Sequence, residues 1–444
     1  MKWRDWKNLP TDLIEDIAGR LLTFDVAEYL RFRAACKPWR ACTNNPRMGD
    51  GMHARFRPRD WIVLNRCGKG CSSRRTLVNV ATGARANVHF PELATHHQLG
   101  TADGLLVLAH KSTNDVSLLN PLTGALNGFP SLSIDQYMPS RYAHEPSSFP
   151  VTWFPVASAI SGAGIDDSTS PRTLVLCLRA RWHAIVCAKS GDEKWVYGHH
   201  GVTEQRSAGE VRLVRSPVTF GGRCYFTTEV GAVMTVDLSQ VARCPKMRFL
   251  LEEDPTVNTE ISSFLVRSQG RMLMVRYMFG ANLLEGGGYE ETEIFMWNGR
   301  PSRVEVFEVD IAGRRLVAQS GVGDDRAAFL SGVHTVMVST KKFPKIAANS
   351  VYLNNFLRSR GHFGAYHFED GTTMPPRVFL TGRHPSCFPC ACHWELQDYL
   401  VGDIEKGFRE GLTGSKWHRE SHNLLSMCTY VIELANWTTK LHNL

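Results

Sequence analysis

The chain has 444 residues, more than one compact unit usually holds, and its hydrophobic (43%) and charged (21%) fractions are those of an ordinary folded protein, which excludes a wholly disordered chain. Met1-Lys2-Trp3-Arg4-Asp5-Trp6 has no apolar signal core and no run approaches about 18 apolar residues, so neither secretion nor membrane spanning is expected and the compartment should be cytosol or nucleus. The formal charge of +8 is modest and scattered, which argues against nucleic acid as a partner, and the 12 cysteines lack framework spacing, as free thiols in a reducing compartment do.

The first elements are helical. Leu13, Ile17 and Leu21 recur every four residues with Ile14 beside them, while Asp12, Glu15, Asp16 and Arg20 take the opposite side, the pattern of an amphipathic helix. Pro10 and Thr11 mark its start, and its acidic residues suit the positive end of the helix dipole. A second helix, capped by Thr23 or Asp25, carries Val26, Leu30, Phe32 and Ala34; Pro38 then opens a short turn of helix bearing Trp39. A module of about 35 residues cannot close a core of its own, so its surplus apolar face must be covered by the rest of the chain or by a partner.

The ordered residues Leu9-Pro10, Leu13, Ile17, Leu21, Asp25, Leu30-Arg31-Phe32-Arg33, Cys36-Lys37 and Trp39-Arg40 resemble an F-box. That resemblance implies a surface for a Skp-type linker protein, formed or held by Leu9, Pro10, Leu13, Ile14, Ile17 and Leu21, with Leu30 and Trp39 supporting the module.

Asn44 to Arg59 is rich in Asn, Pro, Gly and Arg, and 48–60 reads as a connector between two separately unfolding domains, 1–47 and 61–382. From Trp61 the texture changes to short apolar runs broken by Gly, Asn, Asp and Pro. Trp61–Leu64 and Leu77–Val80 read as strands, with a turn at Ala81-Thr82-Gly83; a hairpin follows from Gly104–Leu108 to Val116–Pro121. Loosely similar units recur at Gly221–Phe226 with Val233–Leu238, Gln269–Val275 with Val304–Asp310, Arg326–Leu330 with His334–Val338, and Phe363–Asp370. Antiparallel units repeating every 45 to 50 residues or so predict a β-propeller of about six to eight blades, the alternative being a large β-sandwich. Asp135 to Ser170, rich in Pro, Ser and Gly, reads as a long loop, and its Tyr137, Tyr142 and Phe149 are candidates for gripping a protein substrate, with Trp153 and Phe154 in an apolar run beside them.

Asp103–Leu106 with Leu118–Gly124, Gly222 and Tyr225 with Val236–Leu238, Leu265-Val266 with Leu273, Val275 and Arg276, Val322–Asp324 before Phe329-Leu330, and Asn349–Tyr352 together resemble the plant F-box proteins that carry a Kelch-like domain of unknown function. The resemblance implies a non-catalytic adaptor that binds a Skp-type linker, through it a cullin, and presents a protein substrate for ubiquitylation. Two other readings stand beside it: a propeller that binds a partner or ligand with a vestigial F-box, and a propeller enzyme.

No HExxH, GxSxG or GxxxxGK[ST] occurs, and no acid and base pair can be assigned, so no catalytic residue and no cofactor is expected. Cys387, Cys390, Cys392 and His393, with Cys67 and Cys71 as conceivable partners, have thiolate and imidazole chemistry suited to zinc, but no second well-spaced pair, so no metal is expected. Residues 383–444 depart from the family pattern; Trp394-Glu395-Leu396 reads as a closing strand before a polar end.

Overall fold

A computed structural model describes residues 6–48, 51–64, 73–133, 160–178, 185–200, 214–228, 231–238, 245–252, 260–279, 303–331, 335–354 and 365–374. Three helices open the chain: α1 (Thr11–Phe24), α2 (Val26–Ala35) and α3 (Lys37–Ala41). Asp25 both ends α1 and starts α2: its extended backbone breaks the helix, its amide donates to the Leu21 carbonyl, and its carboxylate accepts the Ala27 amide at 2.9 Å. At the start of α1, Pro10 and not Thr11 holds the cap position, and it makes no side-chain cap bond. The buried row of α1 is Ile14, Ala18 and Leu22, packed on Val26, Tyr29, Leu30 and Phe32 of α2 and on Phe56.

Strands follow almost without interruption, grouped in blades. Blade 1 has β1 (Trp61–Leu64), β2 (Arg74–Asn79) and β3 (Arg85–His89); blade 2 has β4 (His96–Ala102), β5 (Leu105–His110), β6 (Asp115–Leu119) and β7 (Leu126–Ser131), reached through a single turn, α4 (Glu92–Thr95). Blade 3 comprises β8 (Ile160–Asp166), β9 (Thr173–Leu178), β10 (Ile185–Lys189) and β11 (Val196–His200), and blade 4 comprises β12 (Val214–Phe220), β13 (Arg223–Thr228), β14 (Val233–Asp237) and β15 (Lys246–Leu251). These two blades also join edge to edge through parallel β11–β15 pairing, which covers two exposed sheet edges. Blade 5 is β16 (Glu260–Ser268), β17 (Arg271–Phe279), β18 (Arg303–Asp310) and β19 (Arg315–Gln319). Blade 6 contains β20 (Arg326–Ser331), β21 (Thr335–Ser339), β22 (Ser350–Asn354), β23 (Ala365–His367) and β24 (Thr373–Met374), with β20 between antiparallel β21 and parallel β22.

Each blade buries a face against the next, and these contacts form a ring. Apolar clusters join blade 1 to 2 (Trp61, Leu77 with Leu106, Leu108), 2 to 3 (Leu105, Val107 with Ile165, Leu176), 3 to 4 (Cys177, Ile185 with Phe226, Met234), 4 to 5 (Val218, Val233 with Leu265, Met274) and 5 to 6 (Leu273, Val275 with Leu330, Val351). Blade 6 then meets blade 1 directly: Ala327, Phe329 and Val338 pack on Ile62, Leu64 and Val78, and the Ser339 amide donates to the Val80 carbonyl at 3.0 Å. The fold is therefore a six-bladed propeller, at the lower bound expected, and not a sandwich. Its ring closes between blades 6 and 1 among the described residues; Trp394-Glu395-Leu396, like all of 383–444, lies outside them.

Two sequence expectations give way. Ile160–Asp166, read as the end of a loop, is fully buried β8, because Ile160, Ala163 and Ile165 fill the space between blades 2 and 3 and small residues let the chain pass close to its neighbour: a Cβ on Gly164 would lie 2.5 Å from the Cys224 sulfur. The 48–60 segment is no exposed connector either, since Met52, Phe56, Arg57 and Pro58 are buried. Tyr137, Tyr142, Phe149, Trp153 and Phe154 lie outside the described residues, as do Cys67, Cys71 and Cys387–His393.

Candidate functional site: an uncovered helical face on a propeller rim

Burial of Ile14, Ala18 and Leu22 leaves the adjoining row of α1 open. Leu13 is 46% exposed and Pro10 is exposed, while Leu9, Ile17 and Leu21 are half-buried. Phe24, 69% exposed, extends the apolar surface at the C-terminal end of the helix. Ile14 and Leu30 are core residues that hold this face from behind. Trp39 supports it from α3 by stacking on Phe32, with ring centroids 4.5 Å apart. Arg33 fastens the chain after α3 by donating to the Thr43 carbonyl and hydroxyl and to the Asn44 carbonyl, which also accepts the Tyr29 hydroxyl at 2.7 Å. The eight residues that the sequence marks thus belong to one small body, with Pro10 and Leu13 exposed along one side and Ile17 and Leu21 half-buried beside them.

This body is fixed to one rim of the propeller by polar groups. The Asp25 carboxylate accepts the Trp61 indole N–H at 2.9 Å and the Asn79 amide at 2.9 Å, in addition to its cap bond. Burial pushes its pKa up, opposed by those three bonds. Asn79 stands in the turn Asn79-Val80-Ala81-Thr82-Gly83, and blade 2 repeats the pattern as Asn120-Pro121-Leu122-Thr123-Gly124. In each turn the Asn side-chain oxygen accepts two backbone amides and the Gly takes a positive φ, a turn that leaves the Asn amide free to point outward. The Asn120 amide donates to the Phe56 carbonyl at 3.1 Å, and Arg47 donates to the Thr123 carbonyl at 2.7 Å.

Nearer the axis, Arg57 is fully buried and spans two blades: its guanidinium donates to Asp103 at 3.1 Å and to Asp167 at 3.0 Å, and its Nε reaches the Met52 carbonyl. Asp103 also receives Arg59 at 2.9 Å and Arg267 at 3.2 Å, while Arg172 pairs with Asp167 at 2.9 Å. The rim is made of two-residue turns, Asp103-Gly104, Gly221-Gly222 and Gln269-Gly270, each with two successive positive φ angles, the twist-compatible hairpin geometry. Between this rim and the α1–α2 corner lies a cavity of about 590 Å³.

Spacing exposed the helices but not this docking. Asp25 reads only as a cap, Arg57 as linker polarity, and the amides of Asn79 and Asn120 as turn residues. The available signal was the same five-residue turn at the same place in two consecutive blades.

Among the described residues no group of three or more His, Cys, Asp or Glu side chains is placed to hold a metal ion, and no helix is long and apolar enough to cross a membrane. Cys177, Cys187 and Cys224 are fully buried between blades 3 and 4; burial pushes the Cys177 thiol up to about 12 and moves the other two in the same direction.

The molecule is thus of the class in which a small N-terminal helical body is seated on a six-bladed propeller. The chain belongs to the KIB1-4 beta-propeller family, whose profile matches residues 71–369. A further match, 44% identical over 61 residues, is to an Arabidopsis thaliana protein whose name assigns it provisionally to the F-box proteins. That stretch covers 14% of this chain and 15% of the relative's length.

Proposed function

We propose that the protein is a non-catalytic adaptor: residues 1–47 act as an F-box that binds a Skp-type linker and through it a cullin, and the propeller, assigned to 61–382, presents a protein substrate for ubiquitylation in the cytosol or nucleus. The observation that carries this reading is the row Pro10, Leu13, Ile17 and Leu21, exposed or half-buried beside the row of α1 that packs on α2, so that packing within the module and its polar seat on the rim leave Leu13 and Pro10 uncovered. An apolar row between exposed Asp12, Glu15, Asp16 and Arg20 supplies contact area with a charged border, the anatomy of a protein interface. The short match to a relative named for the F-box supports the same reading. No residue is assigned a chemical step and no cofactor a place.

The test is a pull-down of the full chain with purified linker. Leu13→Asp and Ile17→Asp should abolish capture while the folded propeller signal stays unchanged; capture equal to wild type would show the assignment to be wrong. The substrate is proposed to contact Tyr137, Tyr142 and Phe149. Deletion of residues 135–144 should weaken capture of an identified client without changing linker binding, and unchanged capture would place recognition elsewhere.

A further inference from the structure

The cavity between the module and the rim is surrounded by arginines. Arg55, Arg57, Arg59 and Arg267 line it, and Arg172 stands behind on Asp167. Against these five cations stand three carboxylates that take part in pairing: Asp103, which serves three arginines, Asp167, which serves two, and Asp60, 3.9 Å from Arg267. The fourth nearby carboxylate, Asp25, has its oxygens occupied by Trp61, Asn79 and Ala27, and its burial favours the protonated form. Counting Asp25 as ionised too, five arginines against four aspartates leave the surroundings of the cavity a surplus of about one positive charge at neutral pH.

Donors as well as charge are left over. Arg59 meets Asp103 through Nε alone, so both its terminal nitrogens have no acceptor among the described residues. Arg55 lies against the Phe56 ring at 5.3 Å, and its guanidinium has no carboxylate among the described residues. Arg267 is held against its charged form, first by burial and then by the neighbouring Arg59, with Asp103 and Asp60 acting in the opposite direction. An anion placed between Arg59 and Arg267 would relieve that repulsion, and a forked guanidinium suits a phosphate's oxygens better than a point charge does. A volume of about 590 Å³ falls within the range of about 300–1,000 Å³ usual for small-molecule sites.

We propose that this cavity binds a small phosphate-bearing anion at the junction of module and propeller, held chiefly by Arg59 and Arg267 with Arg55 at the entrance. The site is independent of whether the module binds a linker. The probe is inorganic pyrophosphate, added to the full chain while thermal unfolding is followed, with sodium chloride at matched ionic strength as the control. Pyrophosphate should raise the unfolding temperature in a saturable way that chloride does not reproduce. Arg59→Gln should weaken the apparent affinity about tenfold, the loss expected for a charge-assisted contact. Asp60→Asn, at an exposed side chain that opposes the anion, should strengthen it. An equal response to chloride, or unchanged affinity in both variants, would overturn the proposal; if Arg59→Gln fails to fold, unchanged affinity in Asp60→Asn alone overturns it.

Discussion

Blade-to-blade packing and the seat of the helical module solve the same problem with different proportions of apolar and charged contact. Between blades the cores are apolar, as where Leu105, Val107, Leu176 and Val186 meet, with single polar links beside them such as the buried Asp166 carboxylate that accepts Arg223 and the Cys224 amide across blades 3 and 4. Under the module, a fully buried arginine bridges two aspartates and a buried aspartate holds an indole and an amide. Apolar contacts are stabilising but weakly directional, so a ring of them tolerates small slips. A buried charge pair costs desolvation and returns it only in one geometry, which suits a joint that must hold a body at a set angle.

The largest test of this contrast is at Gly104, where the backbone of the module's connector presses on the rim. With φ at +87° and the Pro58 carbonyl oxygen 2.2 Å from where a Cβ would stand, Gly104→Val should cost more than about 4 kcal/mol or prevent folding, as chemical denaturation would read. A loss below about 1 kcal/mol would mean that the connector does not rest there.

Next comes a matched pair. Arg57→Met keeps length and removes charge, leaving Asp103 and Asp167 less compensated in a buried place, and should cost about 3–5 kcal/mol; Leu108→Met, in the dry seam between blades 1 and 2, should cost less than about 1.5 kcal/mol. Similar losses for the two would erase the distinction between charged seat and dry seam.

The smallest effect is a pH slope. Burial raises the folded-state pKa of Asp25 above its unfolded value of 3.8, so the folded protein holds that proton more tightly. Its contribution is fully present below pH 3.8 and is lost as pH rises through the folded-state pKa. The stability of wild type minus that of Asp25→Asn should therefore fall with rising pH in the window just above 3.8, followed by urea unfolding at several pH values. A rising difference would show that the three hydrogen bonds to the carboxylate outweigh burial.

The helical start shows how far periodicity carries. The 3.6-residue pattern places α1 and α2 and leaves the cap of α2 to Thr23 or Asp25, of which Asp25 fills it, yet it names Leu13, Ile17 and Leu21 with Ile14 as the apolar stripe where the buried row is Ile14, Ala18 and Leu22. Ala18 carries little hydrophobic weight in a sequence pattern, but a small side chain is what lets α2 approach, so the row that packs is not the row with the largest residues. In the propeller, β1, β5, β6, β13, β14, β17, β18, β20 and β21 were legible from β-rich runs and turn residues. Strand β8 was not, because Ile160-Ser161-Gly162-Ala163-Gly164 has the composition of a loop and becomes a strand only because its neighbours leave room for nothing larger.

By itself the sequence determined the local chemistry: where helices begin, where two-residue turns reverse the chain, and that repeated hairpins must bury both faces against one another. Those follow from short-range sterics and hydrophobic period. The tertiary structure decided the count of six blades, the closure of blade 6 on blade 1, and the burial of the supposed connector. It also decided which row of α1 stays open, since Asp25, Asn79, Trp61, Arg57, Asp103 and Asp167 are far apart along the chain and acquire meaning only when folding brings their charges and donors within hydrogen-bond reach.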